Sequence, residues 1–261
     1  MPKAKAVKTV TKSSRLVPLL GIALILSLSI FAYVKWLKSQ QQTQVAAQTV
    51  PVKTVQIAPP VNLPPPSLRS NMSVEAALKN RRSRRDFTSD SLNLKQVGQM
   101  LWAAQGVTAD WGGRTAPSAK EAYPLTVYLV ANRVIDLNPG VYQYIPGERD
   151  AKHQVQLIKA GDVSEAVGTA IVQNAAKNSP ALLIIAGDMN KMAKAFDGKH
   201  LDNNVYLEAG HAAQNLYLEA ESLGLGMVTM AGFDGTKVAA ALNTPETDTI
   251  IYAVPFGIPK P

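Results

Sequence analysis

The sequence predicts an α+β domain with a mixed central sheet flanked by helices, preceded by one transmembrane helix. Three observations predict this architecture: an uncharged apolar run near the N-terminus, a Pro-rich stretch after it, and alternating helical and strand patterns from Ser73 onward. The alternation by itself is also typical of an α/β protein. The chain has 261 residues, enough for one sizeable domain with appendages.

The basic character of the chain belongs to its N-terminus. Residues 1–38 contain seven Lys or Arg side chains and no acidic one, although the net charge of the whole chain is +8. The remaining residues carry 20 basic and 19 acidic side chains. Such a balance provides no field that would attract a nucleic-acid backbone, so nucleic-acid binding is not expected. The absence of cysteine excludes disulfides, thiolate nucleophiles and zinc–thiolate sites.

Residues 16–34, LVPLLGIALILSLSIFAYV, contain no charge. A helix of this length spans about 28 Å, close to the hydrocarbon thickness of a bilayer. With Tyr33 and Trp36 at its interfacial end, it predicts a transmembrane anchor over residues 16–37, preceded by a basic segment, 1–15. The cations before the run favour a cytoplasmic N-terminus and an extracytoplasmic, periplasmic C-terminal domain.

A cleaved signal peptide is the alternative to this anchor, because residues 45–47, Val-Ala-Ala, resemble a cleavage site. Residues 38–71 are rich in Gln and Pro, which predicts an extended, semi-stiff linker. A Pro-rich ligand for an SH3-type domain is a second interpretation of that stretch.

Residues 72–261 form the predicted domain. Ser73 is the expected N-cap of a helix over SVEAALKN, and NLKQVGQMLWAAQG predicts a helix that ends at Gly106. The patterns predict further helices over DVSEAVGTAIVQNA, DNNVYLEAGHAAQNLYLEAESLG and TKVAAALN. They predict strands over LTVYLVA, ALLIIAG, GMVTMAGF and TIIYAVPFG, and a hairpin of VYQYI with HQVQLI.

Several signatures of chemistry are missing. No GxGxxG follows a strand, and no GxxxxGK[ST], HExxH or GxSxG is present. His153, His200 and His211 are far apart in the sequence and are expected to be surface, loop or satisfied core residues. The sequence therefore predicts no metal site and favours neither a hydrolase nor a metalloenzyme.

The segment RRSRRDF, residues 81–87, concentrates four arginines after a helix. Alternate residues of an extended segment point the same way, so Arg81, Ser83 and Arg85 are expected on one side, with Arg82 and Arg84 on another. Two guanidinium forks beside a hydroxyl suit a phosphate dianion. A solvated charged face is an equally weighted interpretation.

Three stretches together resemble the FMN-dependent nitroreductase family, and most closely its SagB-type dehydrogenase branch. They are RRSRRDF, then WGGRTAPSAKEAYPLTVYLVA, then LEAGHAAQNLYLEAESLGLGMVTMAGFD, and the resemblance covers about residues 72–258. It implies a nitroreductase-like α+β sandwich and a homodimer with FMN at the interface. It also explains the missing dinucleotide signature, because NAD(P)H stacks on exposed flavin in this family.

The resemblance also implies a set of cofactor-binding residues. Arg81 and Ser83 match residues that hold the FMN phosphate and ribityl chain, Arg82 belongs to the same segment, and Arg85 matches a basic residue near the flavin pyrimidine. A guanidinium there would stabilise reduced flavin, which carries negative charge on that edge.

Two further loops and the C-terminus complete that set. Residues 117–119 (Pro117, Ser118 and Ala119) match a loop that reaches the FMN of the other subunit. Ala231 and Gly232 match backbone that faces flavin N5, where a glycine permits close approach. Lys260 alone represents the basic residues that follow the last strand in many relatives.

The expected function is that of a membrane-anchored FMN-dependent oxidoreductase. It would move a hydride from NAD(P)H through flavin to a small acceptor such as a nitroaromatic or a quinone. No catalytic side chain is required, since the cofactor performs the chemistry. Two alternatives stay open: a SagB-type dehydrogenase of a peptide-derived azoline, and a non-catalytic flavin-binding membrane protein.

Overall fold

A computed structural model describes residues 30–40, 58–149 and 152–261. The chain divides into two units, Met1–Gln56 and Ile57–Pro261. In the first unit, residues 30–40 form helix α1. Most of the predicted anchor, residues 16–37, and all of segment 1–15 lie outside the described residues. Among the residues that are described, no helix is both long and apolar enough to span a bilayer.

The second unit is built on a seven-stranded sheet with the order β1-β4-β3-β2-β5-β7-β6. All six pairings between these strands are antiparallel, so the predicted mixed sheet is wrong. The strands are β1 Val61–Asn62, β2 Leu125–Ala131, β3 Gly140–Ile145, β4 Gln154–Ala160, β5 Ala181–Asp188, β6 Gly226–Met227 and β7 Asp248–Gly257.

The central strand β5 shows why the sequence suggested parallel pairing. Its residues from Ala181 to Gly187 are all buried, a pattern most typical of parallel sheets with two covered faces. Here the same pattern arises because helices cover both faces of an antiparallel sheet. Successive side chains of β5 enter two separate cores, with Leu183 and Ile185 in one and Leu182 and Ile184 in the other.

The described part of the second unit contains seven α-helices. They are α2 Val74–Asn80, α3 Leu94–Gln105, α4 Ser164–Ile171, α5 Asn174–Asn178, α6 Met189–Ala195, α7 Asp202–Ser222 and α8 Gly235–Leu242. The Ser73 hydroxyl accepts a hydrogen bond from the Ala76 N–H, which confirms the predicted N-cap of α2. Asn93 and Gln96 form a capping box at the start of α3, and the N–H of Gly106 closes its end.

Two predicted elements differ from the structure for local reasons. The helix expected over residues 162–175 breaks between α4 and α5 at Val172, whose φ of 60° is left-handed. The strand expected over residues 226–233 is reduced to β6 and one isolated bridge at Met230. Between them, the N–H of Thr229 donates to the Tyr217 hydroxyl instead of a neighbouring strand.

The segment before Ser73 folds onto the sheet, so the linker predicted over residues 38–71 differs from the structure at its C-terminal part. Strand β1 pairs with β4, and Leu63 is buried in the core. The Nε2 of the buried His153 lies 2.7 Å from the carbonyl of Pro64 and its Nδ1 lies 3.1 Å from the Tyr144 hydroxyl, which makes it a satisfied core histidine. A Pro-rich composition therefore did not prevent these residues from pairing with a sheet edge, where proline is tolerated.

Helix α7 positions the candidate site. Its buried face includes Val205, Glu208 and Ala209 near the start, and Leu216, Tyr217 and Ala220 near the end. The helix stops before Gly224, whose φ of 67° is the left-handed conformation that glycine accommodates. Two polar groups of α7, around Glu208 and around Tyr217, organise the two loops that the sequence singled out.

Candidate anion and cofactor site

The arginine segment lies between the end of α2 and the edge strand β6. Ser83 forms a parallel bridge with Met227, and the N–H of Arg84 donates to the Met227 carbonyl at 2.9 Å. A Cβ at Gly226 would lie 3.1 Å from the Cβ of Arg84 and 3.0 Å from that of Pro259. Gly226 therefore allows three backbone segments to meet at close range.

Tyr217 joins this segment to α7. Its hydroxyl lies 2.9 Å from the Ser83 hydroxyl and accepts a hydrogen bond from the Thr229 N–H at 3.1 Å. The Arg81 guanidinium lies over the Tyr217 ring, 5.0 Å from its centroid. Burial raises the pKa of Tyr217, but the hydrogen bonds from Ser83 and Thr229 and the nearby charge of Arg81 outweigh it, and the net shift is downward.

The four arginines have different partners. Arg81 and Ser83 share Tyr217, which agrees with the expectation that they face one way. Arg84 pairs with the Glu221 carboxylate on α7, and Arg82 donates to the carbonyls of Lys79 and Arg81.

Arg85 is exposed and makes no hydrogen bond or ion pair within the described part of the chain. The segment thus neutralises one of its four charges internally. Three guanidinium groups, those of Arg81, Arg82 and Arg85, have no carboxylate partner among the described residues.

The C-terminal tail adds a further cation beside them. The N–H of Thr88 donates to Ile258, and the N–H of Lys260 donates to the carbonyl of Asp86 at 3.0 Å. The backbone of Lys260 is therefore held at Asp86, the residue after Arg85, and its side chain is exposed. This places a predicted binding residue, 175 positions away in the chain from Arg85, at the same end of the segment.

Ala231 and Gly232 follow the same edge of the sheet. Gly232 lies three residues beyond Thr229, at most about 11 Å along the chain. It is exposed, a Cβ on it would meet nothing within 4 Å, and its N–H donates to no acceptor within the described residues. The position offers an open, side-chain-free surface with a free backbone donor.

The loop at Pro117, Ser118 and Ala119 is not part of this cluster within one chain. Ser118 lies near Glu208, nine residues before Tyr217 on α7 and about 13 Å from it along the helix. At the start of the same loop, the carbonyl of Thr115 accepts a hydrogen bond from Asn215 of α7 at 3.0 Å. The Ser118 hydroxyl accepts a hydrogen bond from the N–H of Tyr123 at 2.8 Å within the loop. Tyr123 lies beneath the guanidinium of Arg114, 4.6 Å from the ring centroid.

The sequence patterns did not single out two site residues of α7, Tyr217 and Glu208. Tyr217 is an aromatic on an apolar face, and such a residue is usually ordinary core. Glu208 is almost completely buried, and its spacing from Val205 and Ala212 was the available signal that it faces inward. Burial raises the pKa of the Glu208 carboxyl to about 7, while Ser118, Arg114 and Lys191 oppose the shift.

The side chains around Ser83 have the chemistry to bind an anion. Tyr217 brings the Ser83 hydroxyl and the Arg81 guanidinium together, and the same segment carries Arg82 and Arg85, two exposed guanidinium groups without carboxylate partners among the described residues. Arginine forks recognise phosphate through paired N–H donors. The exposed N–H of Gly232 is a further backbone donor, three residues beyond the contact of Thr229 with Tyr217.

Comparison with known proteins identifies the family. Residues 78–258 match the model of the nitroreductase family. A provisionally named nitroreductase of Methanocaldococcus jannaschii is 33% identical over 184 residues, which are 70% of this chain and 90% of that protein.

Solved structures agree with that match. The crystal structure of a provisionally named nitroreductase of Ralstonia eutropha has a TM-score of 0.66 and 28% identity, and covers 77% of this chain and 90% of its own. A nitroreductase-like structure from Anabaena variabilis has a TM-score of 0.62 at 22% identity, covering 72% of this chain and 38% of its own, and shows the shared fold alone. The chain therefore belongs to the nitroreductase family of oxidoreductases.

Proposed function

We propose that this protein binds FMN at the surface formed by the arginine segment, the Ala231–Gly232 backbone and the C-terminal Lys260. The observation that carries the proposal is the arrangement at Tyr217, which holds Ser83 by a hydrogen bond and Arg81 by a cation–π contact. A phosphate dianion matches the hydroxyl and the guanidinium groups in charge and geometry. The family membership supports flavin as the group that carries this phosphate.

Each residue of the surface has a distinct task in this proposal. Arg81 and Ser83 hold the phosphate, while Arg82 and Lys260 add positive charge around it. Arg85, which has no internal partner, faces the pyrimidine edge and stabilises negative charge there. The Gly232 N–H donates to the ring near N5, and its missing side chain keeps that face open. Bound FMN would supply hydride transfer, so the chain needs no acid, base or nucleophile of its own.

The proposed electron donor is NAD(P)H, and the proposed acceptor is a small molecule such as a nitroaromatic or a quinone. The exposed surface at Ala231 and Gly232 supports this, because donor and acceptor can use the same open face in turn. NAD(P)H is scarce outside the cytoplasm. If the domain is extracytoplasmic, a membrane quinone or another donor takes its place.

The proposed assembly is a homodimer in which Pro117, Ser118 and Ala119 reach the flavin of the second subunit. Among the described residues, no hydrogen bond or ring contact joins this loop to the arginine segment, which supports a role in another site. Helix α7 also carries exposed Tyr206 and Leu207 beside Gly210, where a Cβ would meet nothing within 4 Å. Such a surface is suited to close packing against a second copy.

The proposed location is the membrane, through an uncleaved anchor over residues 16–37 with a cytoplasmic N-terminus. The uncharged run 16–34 and the cations before it support this topology. The described helix α1 contributes exposed apolar side chains, among them Ile30, Phe31 and Trp36. The assignment to the SagB-type branch stays a prediction that depends on the resemblance of RRSRRDF and EAGHAAQNL.

FMN titration of the purified full chain tests the cofactor proposal. We expect the absorbance of bound oxidised flavin, and weaker FMN binding in Arg81→Ala and Ser83→Ala. Arg69→Ala is the matched control, since it removes an exposed arginine that precedes α2. Equal FMN affinity in all variants would contradict the phosphate assignment.

A second experiment separates an enzyme from a binding protein. NADH or NADPH is added anaerobically to the FMN-loaded full chain, followed by a nitroaromatic or a quinone. Loss of the flavin absorbance and its return on addition of the acceptor are the expected results. Flavin that neither nicotinamide can reduce would contradict the proposed donor and favour a different one or a non-catalytic protein.

A further inference from the structure

Glu208 is a buried carboxyl without an ordinary partner. It lies in the middle of α7 and only 2% of its surface is exposed. The Ser118 hydroxyl is near enough to lower its pKa, but neither carboxylate oxygen has a hydrogen bond of normal geometry within the described residues. A buried ionised carboxylate in this position is costly, because nothing replaces the hydrogen bonds that water would provide.

The charged and titratable groups around Glu208 are engaged elsewhere. From the loop after α3, the Arg114 guanidinium donates to Gln105 at 2.8 Å and lies over the ring of Tyr123. From α6, the Lys191 amine donates to the carbonyl of Tyr123 at 2.9 Å. The Tyr144 hydroxyl of β3 lies 3.1 Å from the Nδ1 of His153. Both cations attract the carboxylate at a distance, but neither pairs with it.

The loop over Glu208 is strained. Lys120, Glu121 and Tyr123 have φ values of 50°, 54° and 44°, and none of them is glycine. Residues of this kind rarely adopt left-handed conformations, and each costs of order 1–3 kcal/mol unless its surroundings hold it. Here the loop is held by the hydrogen bond from Tyr123 N–H to Ser118 and by the contact of Lys191 with Tyr123.

We propose that the protonation state of Glu208 controls the packing of the loop formed by residues 117–123. The loop packs over the neutral carboxyl and loosens when that carboxyl ionises. Ionised Glu208 gains from any motion that admits water, and the strain of the loop favours the same motion. The raised pKa of Glu208, about 7, places this change within the physiological range. Protonation of Glu208 favours the conformation in which its pKa is raised, because the two equilibria are linked. The loop packed over the carboxyl is therefore the low-pH form.

This inference does not depend on FMN. It rests on one α7 side chain and the loop packed against it, and it holds for the chain with or without a cofactor. If the loop also reaches the flavin of a second subunit, its mobility would make that site pH-dependent. A failure of FMN binding would therefore leave this inference intact, and the reverse also holds.

Hydrogen exchange measured by mass spectrometry on the full chain tests it. The readout is the protection of peptides covering residues 119–124, corrected for intrinsic exchange, from about pH 5.5 to about pH 8.5. We expect protection to fall above about pH 7, by up to about tenfold per pH unit. Glu208→Gln, which mimics the neutral carboxyl, is expected to keep high protection at every pH.

Two further variants complete the experiment. Glu219→Gln is the matched control: burial also raises the pKa of that α7 carboxyl, but it lies three helical turns away, so the pH dependence of the loop should persist. Ser118→Ala removes a group that lowers the Glu208 pKa and also the hydrogen bond that holds Tyr123, so overall protection should fall while the midpoint of the pH dependence moves to higher pH. Loop protection without pH dependence in the wild type, or an unchanged dependence in Glu208→Gln, would overturn the proposal.

Discussion

The hydroxyl oxygens of Ser83 and Tyr217 lie 2.9 Å apart and connect the arginine segment to the longest described helix of the domain. The same Tyr217 oxygen accepts the N–H of Thr229, which leads toward Gly232. One phenol therefore fixes the relative position of the proposed phosphate end and the proposed N5 end of the site. Ser83 and Tyr217 are 134 residues apart in the chain, so the site forms only when the domain folds.

Replacement of this phenol should weaken both stability and FMN binding. Tyr217→Phe leaves the Thr229 N–H without its acceptor and frees Ser83, at an expected cost of about 1–2 kcal/mol. Urea unfolding and FMN titration measure the two effects. Tyr252→Phe, at a half-buried tyrosine of β7 that the proposed site does not include, should change neither. An FMN affinity of Tyr217→Phe equal to that of the wild type would remove Tyr217 from the site.

Arg84 should matter for stability more than its exposed neighbour Arg82. Arg84→Ala leaves the Glu221 carboxylate, whose side chain is mostly buried, without its ion-pair partner. We expect a loss of about 1–3 kcal/mol in the free energy of unfolding, against less than about 0.5 kcal/mol for Arg82→Ala. Glu221→Gln in the Arg84→Ala background should recover part of the loss. Equal costs for the two arginine variants would show that the ion pair contributes nothing.

His153 should make stability depend on pH. Burial lowers its pKa, although the hydrogen bond to Pro64 opposes the shift. The folded state therefore binds this proton less readily than the unfolded chain does. The contribution of neutral His153 to the free energy of unfolding is fully present above the pKa of histidine in the unfolded chain, about 6.5. It is lost as the pH falls below that value.

The comparison of His153→Gln with wild type isolates this contribution. In urea unfolding from about pH 5 to about pH 7.5, the difference between the two proteins should shrink as the pH falls. His211→Gln is the control, because His211 is exposed on α7. A difference that stays constant across the range would mean that His153 does not titrate between the folded and unfolded states.

The segment before Ser73 should contribute to the stability of the domain. Leu63 is 6% exposed and Leu68 is 61% exposed, only five residues later. Leu63→Ala should cost about 2–5 kcal/mol and Leu68→Ala less than about 0.5 kcal/mol. Thermal or urea unfolding distinguishes them. Similar small losses in both variants would indicate that β1 and Leu63 do not pack on the domain in solution.

Local patterns predicted most of the elements, because their signals lie within one segment. Ser73 caps α2, Gly106 ends α3, the apolar run at Ala181 is a strand, and Gly224 follows the end of α7. The direction of strand pairing was not predictable, since a strand buried on both faces has the same pattern in either kind of sheet. The break at Val172 also lacked a signal, because valine rarely adopts a left-handed conformation.

The sequence predicted which residues form the candidate site better than it predicted the contacts between them. Alternation along RRSRRDF brought Arg81 and Ser83 to the same side, but it did not reveal that Arg84 pairs with Glu221. Partners of this kind lie on α7, far away in the chain, and residue spacing carries no information about them. The sequence also did not indicate the role of Tyr217, because an aromatic residue at a buried helical position is most often part of the core.

The most direct measurement of the central claim is FMN binding by the full chain, with Arg85→Ala compared for affinity and reduction potential. We predict one flavin per chain in the wild type, and a lower reduction potential in Arg85→Ala because a positive charge beside reduced flavin is lost. A folded wild-type protein that stays colourless after incubation with excess FMN would contradict it.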